Sequence, residues 1–326
     1  MIKVQNIAVL TSGGDAPGMN ACIRSVVRAA IYHGIGAFGV HDGFNGLINN
    51  NIVPLLYDDV SNILQRGGTI LGTARSKDFR AKEFREVAHQ NLKDRNIDAL
   101  IVIGGDGSFK GMKTFSEEFD FPVIGIPATI DNDINGTDYA IGFDTALNNI
   151  IDAVDKIRDT ASSHHRVFLV EVMGNNSGVL ALHAAAASGA EEVFIPERQE
   201  DLLEFKGKIA RAVNAKKSSI IIVSEGDGMG GAKEIYAYLK AEGLDTNIRV
   251  SILGHIQRGG SPSYLDRLYS ALFGEEAIVC LLKGKRNLMT SLVDGKVTSV
   301  NITESFTRKT DLNMDYLKLI RKLSIY

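Results

Sequence analysis

Apolar residues recur along the chain in two alternating rhythms. Solid runs at residues 7–10, 37–40, 97–103 and 121–126 read as strands buried on both faces. Between them apolar positions return every three or four residues, as Ile23, Val26, Val27, Ala30 and Ile31 do on a helix opened near Asp15 and Pro17 and closed by Gly34. Residues 52–56 read as a further strand, 59–65 and 80–95 as helices, and another helix starts near Phe109. The second half keeps the alternation. A helix over 143–160 carries Leu147, Ile150, Ile151, Val154 and Ile157 on its buried stripe, and a strand follows from Arg166 to Met173 and Gly174. Strands at 193–195, 220–224 and 249–253 alternate with helices over 178–188, up to Asn214, after Gly231 and over 262–283, before a short tail. Alternation of this kind predicts an α/β fold of mainly parallel sheets covered on both faces.

A chain of 326 residues, 44% apolar and 23% charged, is long for one core, so two domains are expected. Its net charge of -3 argues against general binding to nucleic acid or a membrane surface, and leaves any anion site to a local arginine cluster. No apolar run approaches membrane-spanning length, and no basic leader precedes residue 7, so a cytoplasmic location is expected. Cys22 and Cys280, the two cysteines, fall in apolar helical patterns and offer neither a disulfide framework nor thiol–metal spacing.

Candidate chemistry gathers where predicted strands end. In PATIDNDINGTD, residues 127–138, Asp131 and Asp133 sit two apart, which in extended chain puts both side chains on one face. Like charges that close suit a proton-accepting base or a cation site; the same residue types also make an ordinary turn. IVIGGDGS, residues 101–108, favours the functional reading: an Asp at a strand tip, flanked by glycines that admit a polyphosphate, can meet the Mg2+ such a ligand carries. It is neither a Walker P-loop nor a dinucleotide fingerprint. TSGGDAPGMN, residues 11–20, places glycines between a strand and a helix, where backbone N–H groups and the helix dipole attract phosphate. RGGTILGTARS, residues 66–76, brings Arg66 and Arg75 and reads either as a loop closing over phosphates or as a plain connection. Arg24 and Arg28, one turn apart, form a solvated helix face or half of an anion site.

Taken together, TSGGDAPGMN, RGGT-LGTAR, GGDGS, PATIDNDINGTD, DTASSHHR, VEVMG and GHIQRGGSP, in this order across nearly the whole chain, resemble the bacterial 6-phosphofructokinase family. The resemblance implies two doubly wound domains, both discontinuous: residues 1–142 with 257–307 for ATP, and 143–256 with 308–326 for fructose 6-phosphate. It implies Mg2+-dependent transfer of the ATP γ-phosphoryl to the sugar's 1-hydroxyl. Asp131 resembles the catalytic base, with Thr129, Ile130 and Arg75 beside it, and Asp106 and Asp133 resemble the metal site. Gly14, Arg75, Ser76, Gly105, Asp106, Gly107 and Ser108 resemble the ATP site, with Phe44, Phe79 and Arg80 near the nucleotide base. Arg166, Met173, Gly174, Asn175, Glu225, Arg249, His255 and Arg258 resemble the sugar-phosphate site. In the family Arg166 and Arg249 act in a neighbouring subunit, which implies a homotetramer.

Several positions bear on the chemistry. Asn175 stands where the family usually has arginine, which puts rate in question and motivates an alternative reading as a lapsed sugar-phosphate sensor. Pyrophosphate-dependent relatives typically carry Asp at the position of Gly107 and Lys at that of Ala128, so both residues favour ATP. Arg24, Arg28, Arg158, Glu191 and Lys216 resemble an effector site for ADP or phosphoenolpyruvate. Tyr57 and Asn214 replace basic residues there, so blunted regulation is expected.

Overall fold

The computed structural model describes residues 4–198, 202–214, 217–244, 247–307 and 312–324. The chain divides into two compact units, Met1–Thr145 with Arg258–Thr310, and Ala146–Gln257 with Asp311–Tyr326.

The first unit opens with β1 (Asn6–Ser12), α1 (Met19–Tyr32), β2 (Gly36–Val40), α2 (Gly43–Ile48), β3 (Ile52–Pro54), α3 (Lys82–Asp94), β4 (Ala99–Gly104), α4 (Asp106–Phe119) and β5 (Val123–Pro127). The first crossing lies within α5 (Phe143–His164). The second unit follows with β6 (Val167–Val172), α6 (Val179–Ser188), β7 (Glu192–Phe194), α7 (Leu202–Asn214), β8 (Ser219–Ser224), α8 (Ala232–Ala241) and β9 (Ile248–Ile252). The chain then returns with α9 (Tyr264–Leu282), β10 (Leu288–Val293), β11 (Lys296–Asn301) and α10 (Glu304–Thr307), and ends in the second unit with α11 (Asp315–Leu323).

The seven-stranded sheet of the first unit runs β11-β10-β5-β4-β1-β2-β3 and the four-stranded sheet of the second β7-β8-β6-β9. Every residue of β4 and β5 is buried, as a parallel strand covered on both faces demands. Chain order reverses between β1 and β4, which makes the crevice at their carboxyl ends the topological switch point.

The α/β class is as expected, and the differences have local causes. Residues 59–65 turn rather than form a helix: the Asp59 side chain accepts the Leu56 N–H at 2.7 Å, and Asn62 takes a left-handed φ of 57°. The expected tail is a hairpin, β10 antiparallel to β11, closed by Asp294 and Gly295 with φ of 51° and 74°. That Asp-Gly pair was a readable hairpin signal. β3 pairs antiparallel with β2 and ends at Pro54, on the sheet edge where a missing N–H does no harm. Helix α2 has no sequence counterpart above.

Around α4, Phe79 stacks on Phe44 with ring centroids 4.1 Å apart, and both rings are buried in the core. Arg85, 7% exposed, donates to the Phe79 carbonyl at 2.8 Å and grips Glu118 through two hydrogen bonds of 2.6 Å. The Arg85 hydrogen bond holds the Glu118 carboxyl below its ordinary value of 4.5. A depressed carboxyl contributes stability above that ordinary value and loses it as pH falls through the lower folded value. Glu118→Ala should therefore destabilise the protein by roughly 1.5–3 kcal/mol at neutral pH. Urea unfolding should show that gap shrinking in acid below the ordinary carboxylate value, and a gap independent of pH would contradict the assignment.

Candidate active site

Three strand ends meet at the switch point of the first unit, where Ser12 pairs in register with Gly104 and Gly104 with Pro127. The loops that leave them are packed without slack. A Cβ on Gly104 would lie 2.5 Å from the Ser12 carbonyl oxygen, the Ser108 hydroxyl donates to Ser12 Oγ at 2.9 Å, and the Ala128 N–H donates to Gly104 O at 3.0 Å. Gly13 takes a φ of 94°, which favours glycine. Helix α4 begins at Asp106 with no side-chain cap, so its first N–H groups and the positive end of its dipole face the crevice mouth. A Cβ on Gly107 would meet nothing within 4 Å.

The loop over residues 66–76 is laced to the same place. Buried Asn20 donates to the carbonyls of Arg66 and Gly67 and accepts the Ile70 N–H at 2.7 Å, while Thr73 Oγ1 donates to Gly13 O at 2.9 Å. This keeps the exposed Arg75 and the half-buried Ser76 beside the glycine loop. Arg258 also lies on that loop: its Nη1 donates to Asp15 O at 3.1 Å, and a Cβ on Gly14 would come within 2.1 Å of it.

The loop after β5 corrects the extended-chain reading of Asp131 and Asp133. Asn132 between them takes a φ of 48°, its Oδ1 accepts the Ala140 N–H at 2.7 Å and its Nδ2 donates to Asp138 O. Thr129 Oγ1 accepts the Asp131 N–H at 3.2 Å, and Ile130 is buried beneath. Burial, and then the charge of Asp106, push the Asp133 carboxyl above its ordinary value. Asp106 is exposed and pairs with Lys110 at 2.9 Å. Among the described residues no group of three or more His, Cys, Asp or Glu could hold a metal ion. Asp133, close enough to feel the Asp106 charge, and Asp106 itself nevertheless fit Mg2+, which binds through one or two carboxylates with phosphate and water as its remaining ligands.

In the second unit the carboxyl ends of β6, β8 and β9 carry Met173 to Asn175, Glu225 and His255. Glu225 Oε1 accepts the Asn175 N–H at 3.0 Å, and Asn175 holds a left-handed φ of 51°. Buried Gln257 accepts the Met173 N–H at 3.1 Å and donates to Gly254 O at 2.9 Å, bracing two of these loops. Arg166 and Arg249 lie elsewhere. Arg166 precedes β6 and Arg249 is the second residue of β9, opposite Phe168, toward the amino ends of the strands. At a rise of ~3.3 Å per residue, Arg166 stands about 20 Å from the carboxyl end of β6, and Arg249, level with Phe168, about 13 Å. Within the second unit Arg166 and Arg249 therefore lie apart from Met173, Glu225 and His255.

Arg28 stacks its guanidinium 3.9 Å from the Tyr57 ring centroid and donates to Ser61 Oγ at 3.2 Å, while Arg24, one turn earlier, is half-buried. Arg158, in the second unit, donates to the carbonyls of Ser188 and Gly189 and faces Glu191 at 3.6 Å. Lys216 lies outside the described residues.

A family model described as phosphofructokinase matches residues 6–281. The chain belongs to that family. It is 47% identical over its whole length, and the whole of the relative's, to ATP-dependent 6-phosphofructokinase 2 of Bacteroides thetaiotaomicron. It is 49% identical to ATP-dependent 6-phosphofructokinase of Staphylococcus carnosus, over 99% of this chain and all of the relative. A solved phosphofructokinase from Saccharomyces cerevisiae superposes with a TM-score of 0.88 at 34% identity, covering 98% of this chain and 48% of the yeast chain, so this chain spans about half the length of that one.

Asn20 and Gln257 are site-building residues that the motifs contained but did not single out. The electrostatic link between Asp106 and Asp133 can be read directly. In Asp106→Asn one of the two influences that raise Asp133 is removed while burial, the larger, remains, so Asp133 should titrate at lower pH than in the wild type yet still above its ordinary value. Carbon-13 NMR of the carboxyl groups checks this, and an unmoved Asp133 would mean that the two do not share a site.

Proposed function

We infer that this chain is an ATP-dependent 6-phosphofructokinase, a glycolytic kinase that moves the γ-phosphoryl of ATP to the 1-hydroxyl of fructose 6-phosphate. The observation that carries the reading is the meeting, at one topological switch point, of the Gly13–Gly14 loop, the uncapped start of α4 and the Asp131 loop. The first unit is read as the ATP domain and the second as the fructose 6-phosphate domain.

The residues act as follows. Gly14, Arg75, Ser76 and residues 105–108 hold the triphosphate, and the open space at Gly107, with Ala128 in place of lysine, admits a nucleotide where pyrophosphate-dependent relatives do not. Asp131 takes the proton of the 1-hydroxyl, held by Thr129. Arg75 spreads positive charge over the moving phosphoryl, and Arg258 is read as a ligand of the sugar phosphate. Asp106 and Asp133 would hold Mg2+, which would supply charge that neutralises the phosphates. Met173, Gly174, Asn175, Glu225 and His255 take the sugar. Asn175 in place of arginine removes one cation, worth on the order of a few kcal/mol if nothing replaces it.

Arg166 and Arg249, toward the amino ends of these strands, are assigned to a neighbouring subunit's substrate in a homotetramer with shared sites. No helix among the described residues is long and apolar enough to cross a membrane, and a cytoplasmic location is the reading we adopt. Of the residues read as effector ligands, Arg28 lies on the Tyr57 ring and donates to Ser61, and Arg158 donates to the Ser188 and Gly189 carbonyls.

A coupled assay should give fructose 6-phosphate phosphorylation with ATP and not with pyrophosphate, and Asp131→Ala should lower kcat by about 10²–10⁴. Pyrophosphate use in place of ATP would overturn the donor assignment. Fructose 6-phosphate saturation should shift little with millimolar phosphoenolpyruvate, since two lost phosphate contacts weaken effector binding by about two powers of ten or more; strong sigmoidal inhibition at low effector concentration would show that other cations serve.

A further inference from the structure

Asp266, in the first turn of α9, is fully buried. Ser263 caps that helix and accepts the Asp266 N–H, the spacing of a capping box in which the acidic side chain ordinarily turns back to the cap residue's own N–H. Here it does not. The Ser263 N–H is taken by Thr145 Oγ1 at 2.9 Å, which leaves the carboxylate for a segment more than a hundred residues earlier. Oδ1 accepts Tyr139 Oη–H at 2.7 Å and the Gly142 N–H at 2.6 Å; Oδ2 accepts the Thr145 N–H at 2.9 Å, the Thr145 hydroxyl and, at 3.5 Å, the hydroxyl of the cap residue Ser263. Burial pushes this carboxyl up, and those donors pull it down.

Tyr139 and Gly142 bracket the return leg of the catalytic loop. Between them the Ala140 N–H donates to Asn132, the residue between Asp131 and Asp133, and the Ile141 N–H donates to Pro127 O at 2.9 Å. The leg has no room to drift toward α1: a Cβ on Gly142 would lie 2.6 Å from Ala16 Cβ, and one on Gly18 would lie 2.6 Å from Ile141 Cγ2. One face of the leg is thus closed by packing and its two ends are tied to a single carboxylate.

We propose that Asp266 is a positioning residue for phosphoryl transfer: it touches no substrate but anchors the return leg, and through Asn132 sets the place of the base Asp131. A neutral amide at this position turns an NH2 group toward the Gly142 or the Thr145 N–H; the hydroxyls can turn to accept from it, but that backbone N–H loses its acceptor and the leg is loosened. The inference rests on the kinase reading above.

Asp266→Asn, Tyr139→Phe and the pair Thr145→Ser and Thr145→Val are the variants. Per folded molecule, Asp266→Asn should lower kcat by about 100-fold with KM for ATP little changed, because the nucleotide loops do not hang on this carboxylate. Tyr139→Phe, which removes one donor and leaves the fold intact, should cost about tenfold in kcat. Thr145→Ser keeps the hydroxyl and should retain the rate, where Thr145→Val should not. Backbone hydrogen exchange over residues 131–142 should quicken in the same variants. Lower thermal stability with unchanged kcat per folded molecule and unchanged exchange would make Asp266 a purely structural group and overturn the proposal. Should Asp266→Asn fail to fold, Tyr139→Phe with wild-type kcat and exchange overturns it equally. A wild type inactive on ATP and fructose 6-phosphate would defeat the kinase reading instead, while exchange still reports on the anchor.

Discussion

The first unit depends on how closely the ends of β1 and β4 approach. At Gly104 there is no room for a side chain against the Ser12 carbonyl, and the Ser12 and Ser108 hydroxyls bond across the gap. That contact puts two glycine loops and a helix N-terminus side by side, where their N–H groups point toward one anion. A wider gap would separate the donors; a bulkier residue would fill the space the phosphates need. The packing constraint and the binding site are one feature.

Polar residues distant in sequence then hold the movable parts to that fixed point. Asn20 fastens the arginine-bearing loop, Asn132 closes the aspartate loop, and Gln257 braces Met173. All are buried or half-buried side chains whose hydrogen-bonding capacity is spent on backbone groups of irregular segments, which would otherwise be orphaned. Irregular backbone near chemistry is rigid here because side chains supply the partners that a helix or strand would supply to itself.

This division explains what could be read in advance. The buried strands were legible because covered parallel strands are continuous apolar runs, and the candidate residues because they sit at strand ends beside glycine. The helix placed at 59–65 was misread because Asp59 and Asn62 bond locally, a competition that apolar spacing does not register. Asp131 and Asp133 were identified as a pair, but their geometry was not, since it turns on the left-handed Asn132. Asp266 was invisible for a different reason: nothing near it in sequence says that its partners are Tyr139, Gly142 and Thr145.

The discontinuity of the first unit has a consequence for its birth. Helix α1 packs on α9 so closely that Ser25 donates to the Ala271 carbonyl across 246 residues, and a Cβ on Gly274 would meet Ser25 Cβ at 2.6 Å. Strand β5 gains its outer neighbour only when Leu288 and Met289 pair with Ile124 and Gly125. As the chain leaves the ribosome, the second unit is therefore nearly all made while the first still has an open sheet edge and an uncovered helix face. An incomplete chain carries both of these sticky surfaces. Late synthesis is then the hazardous interval for this protein, and a strand that looks like an appendage is what closes it.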